Sequence, residues 1–199
     1  MFDKVKMNLE KNGFQVSCFK TAEDAAAYLD QKIDGSTVGF GGSGTLQKLG
    51  IYEKLKSHNR VFWHWKKEDQ PENCDIFREA QTADVYLSSV NGLAETGEII
   101  NIDGVGNRVA ATLYGHRKVY LVAGRNKLAA DFSAALYRAR NIAAPLNARR
   151  LNKKTPCVAT GRCMDCSSPD RICRELSVLL RCPLGGDYEI VLIDEELGF

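Results

Sequence analysis

The chain has 199 residues, of which 44% are hydrophobic and 26% charged, with a formal net charge of +2. This is a globular composition, long enough to bury a core and too close to neutral for a polyelectrolyte partner, so no nucleic-acid role is expected. The first residues lack a signal-peptide pattern and no apolar run nears the ~20 residues of a membrane span, so a cytoplasmic protein with no membrane span is expected.

Residues 3–12 read as an amphipathic helix with Val5 and Leu9 inward, and residues 14–19 alternate as a strand. Thr21 suits an N-cap, with Asp24 three residues on, and a helix through Ala25, Leu29 and Ile33 follows. The strand at 36–40 empties into Gly41-Gly42-Ser43-Gly44-Thr45 and a helix carrying Leu46, Leu49, Ile51 and Leu55. A strand at 60–65, a helix at 75–83 and a strand at 84–88 come next. Residues 118–124 are nearly continuously apolar, as suits a strand buried on both faces. A helix from about 131 to 142 and strands at 176–180 and 188–193 complete the set. Strands alternating with helices predict an α/β fold with a mostly parallel sheet flanked by helices. Residues 1–199 are read as one domain, with 155–174 a cysteine-rich loop inside it.

Between the strands at 84–88 and 118–124 lies Asn91 to Arg108, with four glycines, three asparagines and three acids around Ile99, Ile100 and Ile102. Turns at Asn91-Gly92, Thr96-Gly97 and Asp103-Gly104 mark a β-hairpin. They display Glu95 and Asp103 on either side of one buried strand.

The glycine loop matches Gly39-x-Gly41-x-x-Gly44, but the next strand ends Trp63-His64-Trp65-Lys66 with no acid before Glu68, so a dinucleotide site is not indicated. Thr45 stands where a Walker A loop needs lysine. Anion or carboxylate binding is the preferred reading, because Ser43 and Thr45 add hydroxyls at a helix start. From Phe132 to Met164 there is no acid and there are seven basic residues, with Arg125 and Lys127 just upstream. That field suits a small anionic ligand or an acidic partner.

Five of seven cysteines fall between Cys157 and Cys182. Cys157, Cys163, Cys166 and Cys173 follow C-x5-C-x2-C-x6-C, which points to metal or redox chemistry. Only one pair is short, whereas structural zinc usually shows two, so a [4Fe–4S] iron–sulfur cluster is preferred and zinc is the alternative.

Taken together, Gly39-Phe40-Gly41-Gly42-Ser43-x-Thr45-Leu46, Glu95-Thr96-Gly97-x-Ile99-x-Asn101-Ile102-Asp103-Gly104-x-Gly106-Asn107-Arg108, Val122-Ala123-Gly124-Arg125-Asn126-Lys127 and Arg138-x-Arg140-Asn141 resemble the LUD domain of the lactate-utilisation proteins. The resemblance implies a fold like the ribose-phosphate isomerase and CoA-transferase superfamily. Carried over, it implies Gly41, Gly42, Ser43 and Thr45 as anion binders, joined by Asn107 and Arg125, with Glu95 as nucleophile and Asp103 beside it as a second catalytic carboxylate. It also implies a component of an oxidation complex, working with other subunits to convert lactate or a related hydroxy acid to the keto acid. The alternatives are a CoA- or phosphate-ester-dependent transferase or hydrolase using Glu95, or a non-catalytic module carrying zinc.

Overall fold

The computed structural model describes residues 2–199. In chain order the elements are α1 (Asp3–Lys11), β1 (Gln15–Phe19), α2 (Ala22–Lys32), β2 (Thr37–Phe40), α3 (Gly44–Leu49), α4 (Ile51–Leu55), β3 (Arg60–Trp63), α5 (Ile76–Thr82), β4 (Val85–Ser89), β5 (Gly92–Ala94) and β6 (Ile99–Asp103). They continue with α6 (Asn107–Ala111), β7 (Lys118–Gly124), β8 (Leu128–Ala129), α7 (Phe132–Arg138), α8 (Ala144–Arg150), α9 (Pro156–Thr160), β9 (Glu175–Leu179) and β10 (Tyr188–Ile193).

Six strands form a parallel sheet in the order β1-β10-β7-β4-β2-β3. Strand periodicity sorts its side chains into two cores. Val38, Phe40, Leu87, Tyr120, Val122, Val191 and Ile193 pack beneath residues of α2, α3 and α4. Tyr86, Val119, Leu121, Ala123, Ile190 and Leu192 pack on the other face against Val5 and Leu9 of α1, Ala111 of α6, and Leu93, Ile99 and Leu179 of a second sheet. Burial on both faces is why β7 and β10 read as unbroken apolar runs. The fold is the α/β arrangement the periodicity predicts, a six-stranded parallel sheet between helices.

The second sheet, ordered β8-β5-β6-β9, was not legible as a separate layer. Its β5–β6 pair is the antiparallel hairpin expected in residues 91–103, and β9 pairs with β6 rather than with the main sheet. Its far face packs Ala94 and Ile100 against Ala135 and Ala139. Contact there is close enough that a Cβ on Gly92 would lie 2.4 Å from the Ala135 carbonyl oxygen.

Three local departures have plain causes. The helix expected through Leu46 to Leu55 splits at Gly50, whose φ of 66° is left-handed and ends α3. β3 stops at Trp63, which leaves His64 and Trp65 free to turn outward. The helix expected to end near 142 runs on through a π-helical turn, Ala139–Ala143, into α8 and ends at Arg150. Pro145, near the start of α8, has no N–H to donate to the residue four back, and the wider π turn accommodates that loss.

Candidate anion-binding cavity

Parallel sheets bind ligands outside the C-terminal strand ends, where the strand order reverses. Here β3 lies on one side of β2, and β4, β7 and β10 lie on the other. A cavity of about 570 Å³ opens at that point, within the ~300–1,000 Å³ of typical ligand sites. Its walls include the loops after β2 (Gly42–Thr45), β3 (His64, Trp65), β4 (Val90, Asn91) and β6 (Gly104, Val105), and the turn after β7 at Lys127.

The glycine loop is placed as the sequence suggested, but its hydroxyls are occupied. Ser43 Oγ caps α3 by accepting from Leu46 N at 3.1 Å. Thr45 Oγ1 donates to the Leu197 carbonyl at 3.0 Å and accepts from Ser89 Oγ at 3.0 Å. What this loop offers a ligand is its backbone. Gly42, Ser43, Gly44 and Thr45 line the cavity, and first-turn N–H groups have no partner within their own helix. Gly41 serves from behind, since a Cβ there would lie 2.9 Å from Arg108 Cγ and from Ser88 Oγ.

Arg108 is the cavity's buried anchor. Its guanidinium donates to Asn101 Oδ1 (2.6 Å), the Ile102 carbonyl (2.6 Å), Asn91 Oδ1 (3.0 Å) and the Ser89 carbonyl (3.3 Å). All four acceptors are neutral, so the charge is solvated by dipoles. Burial disfavours that charge and the nearby Asp103 carboxylate offsets the cost in part. Asp103 lines the cavity with both oxygens engaged. One accepts from Gly104 N at 2.7 Å, the other from Arg108 N and Val109 N at 3.1 Å each. It therefore holds the turn into α6. Asn107 also lines the cavity, and its backbone carbonyl accepts from the Gln81 amide.

Lys127 is 3% exposed and lines the cavity. Among the described residues its ammonium has no hydrogen-bond or ion-pair partner. Desolvation, reinforced by the Arg138, Arg108 and Lys48 charges, pushes its pKa down to about 7. Arg138 beside it, also buried, donates to the carbonyls of Asn126, Asn91 and Phe199. On the opposite wall the Arg150 guanidinium lies 4.7 Å from the Trp65 ring centroid, and Trp65 stacks on Trp63. His64 stacks on Phe77, and burial lowers its pKa, leaving the ring neutral at pH 7.

Six basic side chains line the cavity, Arg108, Lys127, Arg150, Lys153, Arg171 and Arg174, of which Lys127 is only partly charged at neutral pH. The two carboxylates are Asp103, satisfied by amides, and Asp170, which accepts from Lys154 N at 2.8 Å. Basic side chains thus outnumber acidic ones along this lining, although the whole chain carries only +2 and Arg171 is itself paired with Asp165 at 3.0 Å.

Two residues expected here lie elsewhere. Glu95 sits in the β5–β6 turn, paired with Lys4 Nζ at 2.8 Å and 36% exposed. Asp103 is at the other end of β6, roughly 13 Å along the strand, so the two carboxylates do not converge. Arg125 points away to Asp194 and Glu196. Asn91, Arg108 and Trp65 are site residues that sequence reasoning gave no binding role. Lys127 and Arg150 were read only as part of a general basic field suited to an anion, and it is the fold that brings those two into one cavity.

Cys157, Cys163, Cys166 and Cys173 all line one second void, of about 20 Å³, together with Arg140 and Arg171. All four are free thiols. Cys163 Sγ accepts from Asp165 N at 3.4 Å and lies 3.9 Å from Arg140 Nη2, and Thr155 Oγ1 is 3.2 Å from Cys157 Sγ. Arg171 is held more firmly protonated by Cys173 and then by Asp165. Among the described residues, no three His, Cys, Asp or Glu side chains are placed to hold a metal ion. Arg171 and Ile172 line both voids, so the cysteine segment is a wall of the larger cavity.

The sequence profile described as the LUD domain matches residues 2–193. The chain belongs to the LUD-domain family. Among solved structures, this LUD domain is similar to a DUF162 family protein from Deinococcus radiodurans, at 13% identity and a TM-score of 0.52, covering 96% of this chain and 94% of that one. At that identity the likeness speaks for the fold. Among curated proteins none matches. No helix among the described residues of the LUD domain is long and apolar enough to cross a membrane.

Proposed function

We propose that this LUD-domain protein binds a small organic acid, lactate or a related hydroxy acid and its keto product, and acts as a component of an oxidation complex with other subunits. The observation that carries this reading is the shared wall: the segment bearing four thiols also closes an anion-attracting cavity. The ligand's carboxylate is drawn by Arg150, Lys153, Arg171 and Arg174 at the wall, and the glycine-loop amides face it from the sheet.

We further propose an iron–sulfur cluster on Cys157, Cys163, Cys166 and Cys173. The donor chemistry fits: four free thiols line one void, and the Arg140 guanidinium and the Asp165 N–H both approach the Cys163 sulfur, where they would offset thiolate charge. The void as it stands is small, so the segment has to open around a centre that carries its own sulfides. Bound there, a cluster would supply one-electron redox chemistry next to the ligand. The chain's own residues bind and orient the acid, and the basic end of α8, where Arg149 is exposed, is offered to partner subunits.

A transferase reading that uses Glu95 has less support, because its carboxylate lies outside the cavity against Lys4. The test is expression without oxygen, followed by iron, zinc and acid-labile sulfide analysis and a visible spectrum before and after reduction. Iron and sulfide together, with absorbance that bleaches, support the cluster. Zinc alone replaces it with a redox-silent centre, and metal-free protein with titratable thiols removes it. Acid binding is followed separately by Trp65 fluorescence on addition of lactate, pyruvate or phosphate.

A further inference from the structure

Buried lysines are almost always paired. Lys127 is not. The residue is only 3% exposed, its ammonium has no partner among the described residues, and it lines a cavity large enough for a metabolite. The surrounding groups explain how the position is tolerated and what it favours. Arg108 on α6 and Arg138 at the end of α7 keep their guanidiniums on protein acceptors, and Lys48 on α3 adds a third positive charge. No carboxylate stands against Lys127 to hold its proton. An amine in such surroundings is uncharged in a large fraction of molecules at neutral pH, with its nitrogen lone pair free.

We propose that Lys127 is a carbonyl-reactive amine: from the base of the cavity it condenses with the oxo group of a small anionic oxo acid to form an imine. This inference rests on the anion-binding reading of the cavity and adds a covalent step to it. Lys127 Nζ attacks the carbonyl carbon, forming the C–N bond. The two nitrogen-bound protons leave with the carbonyl oxygen as water, and a C=N bond remains. Water reverses the step, and no oxidant or reductant takes part. The acid's carboxylate, held by the cations of the outer wall, directs the oxo carbon inward. Nucleophilic lysines are activated in this way, by desolvation beside other cations.

The experiment is incubation of the full chain with pyruvate and sodium cyanoborohydride at pH 7, which reduces any imine to a stable amine, followed by intact mass and peptide mapping. At that pH Lys127 has roughly a thousandfold larger uncharged fraction than an exposed lysine, so a single adduct mapping to Lys127 is expected. Lys127→Met and Lys127→Arg should both lose it. Lys127→Arg keeps the positive charge and so should still quench or enhance Trp65 fluorescence on pyruvate addition, which separates amine chemistry from charge. Pyruvate binding by fluorescence without an adduct, or adducts spread over surface lysines and unchanged in Lys127→Met, would overturn the imine and leave the anion site standing. No fluorescence response to pyruvate, lactate or phosphate would overturn both.

Discussion

Replacing Lys127 with methionine should make the protein more stable at neutral pH. The lysine's pKa falls from an ordinary 10.5 to about 7 on folding. Between those values the unfolded chain binds a proton that the folded chain does not, so stability rises with pH across that window, by ~1.4 kcal/mol per unit. Below pH 7 the full cost of burying the ammonium is present. At pH 7 the difference works out on the order of 4 kcal/mol, and at pH 9 roughly 2 kcal/mol. Methionine has a similar length and no charge, so Lys127→Met should gain most at pH 7 and progressively less toward pH 9. The assay is urea denaturation of both proteins at pH 7, 8 and 9, compared at equal m-values. Parallel pH profiles, or a variant no more stable than wild type at pH 7, would refute the claim that this ammonium is buried without a partner.

The opposite outcome is expected at Arg108. Arg108→Met removes a donor from each of four acceptors, three of which keep a second one, and should cost about 3 kcal/mol, read as a lower urea midpoint, with Arg108→Lys recovering part of the loss. Glu95→Gln breaks only a half-exposed pair with Lys4, so it should change stability by less than about 1 kcal/mol and leave Trp65-monitored pyruvate binding intact. A marked loss of binding in that variant would return Glu95 to the site.

The parts of the molecule that were legible in the sequence are those governed by local pattern. The apolar run at Lys118–Gly124 and the alternation near Gln15–Phe19 reflect strand periodicity, and Thr21 caps α2 through Asp24 N as its spacing suggests. The glycine loop was found because glycine and serine mark a strand-to-helix turn whatever surrounds it. The four cysteines face one void, which spacing alone could only suggest. What stayed hidden depends on distant chain segments. Arg108 and Arg125 look alike in sequence, yet one meets four acceptors under the sheet edge and the other reaches out to Asp194. Glu95 and Asp103 both sit on glycine turns, and only the hairpin's direction decides which end of β6 meets the cavity. The second sheet was missed because β9 joins β6 across more than seventy residues, a pairing no local window contains.

Arg138 ties together backbone from three separate places: Asn91 after β4, Asn126 after β7, and Phe199 at the last residue of the described chain. Loops that belong to neighbouring strands are usually free to breathe one at a time. Riveted to one guanidinium, these three share a single opening event, so their amides should exchange with solvent at one common rate. Independent fluctuation is left to the opposite rim, where the cysteine segment hangs between α9 and β9.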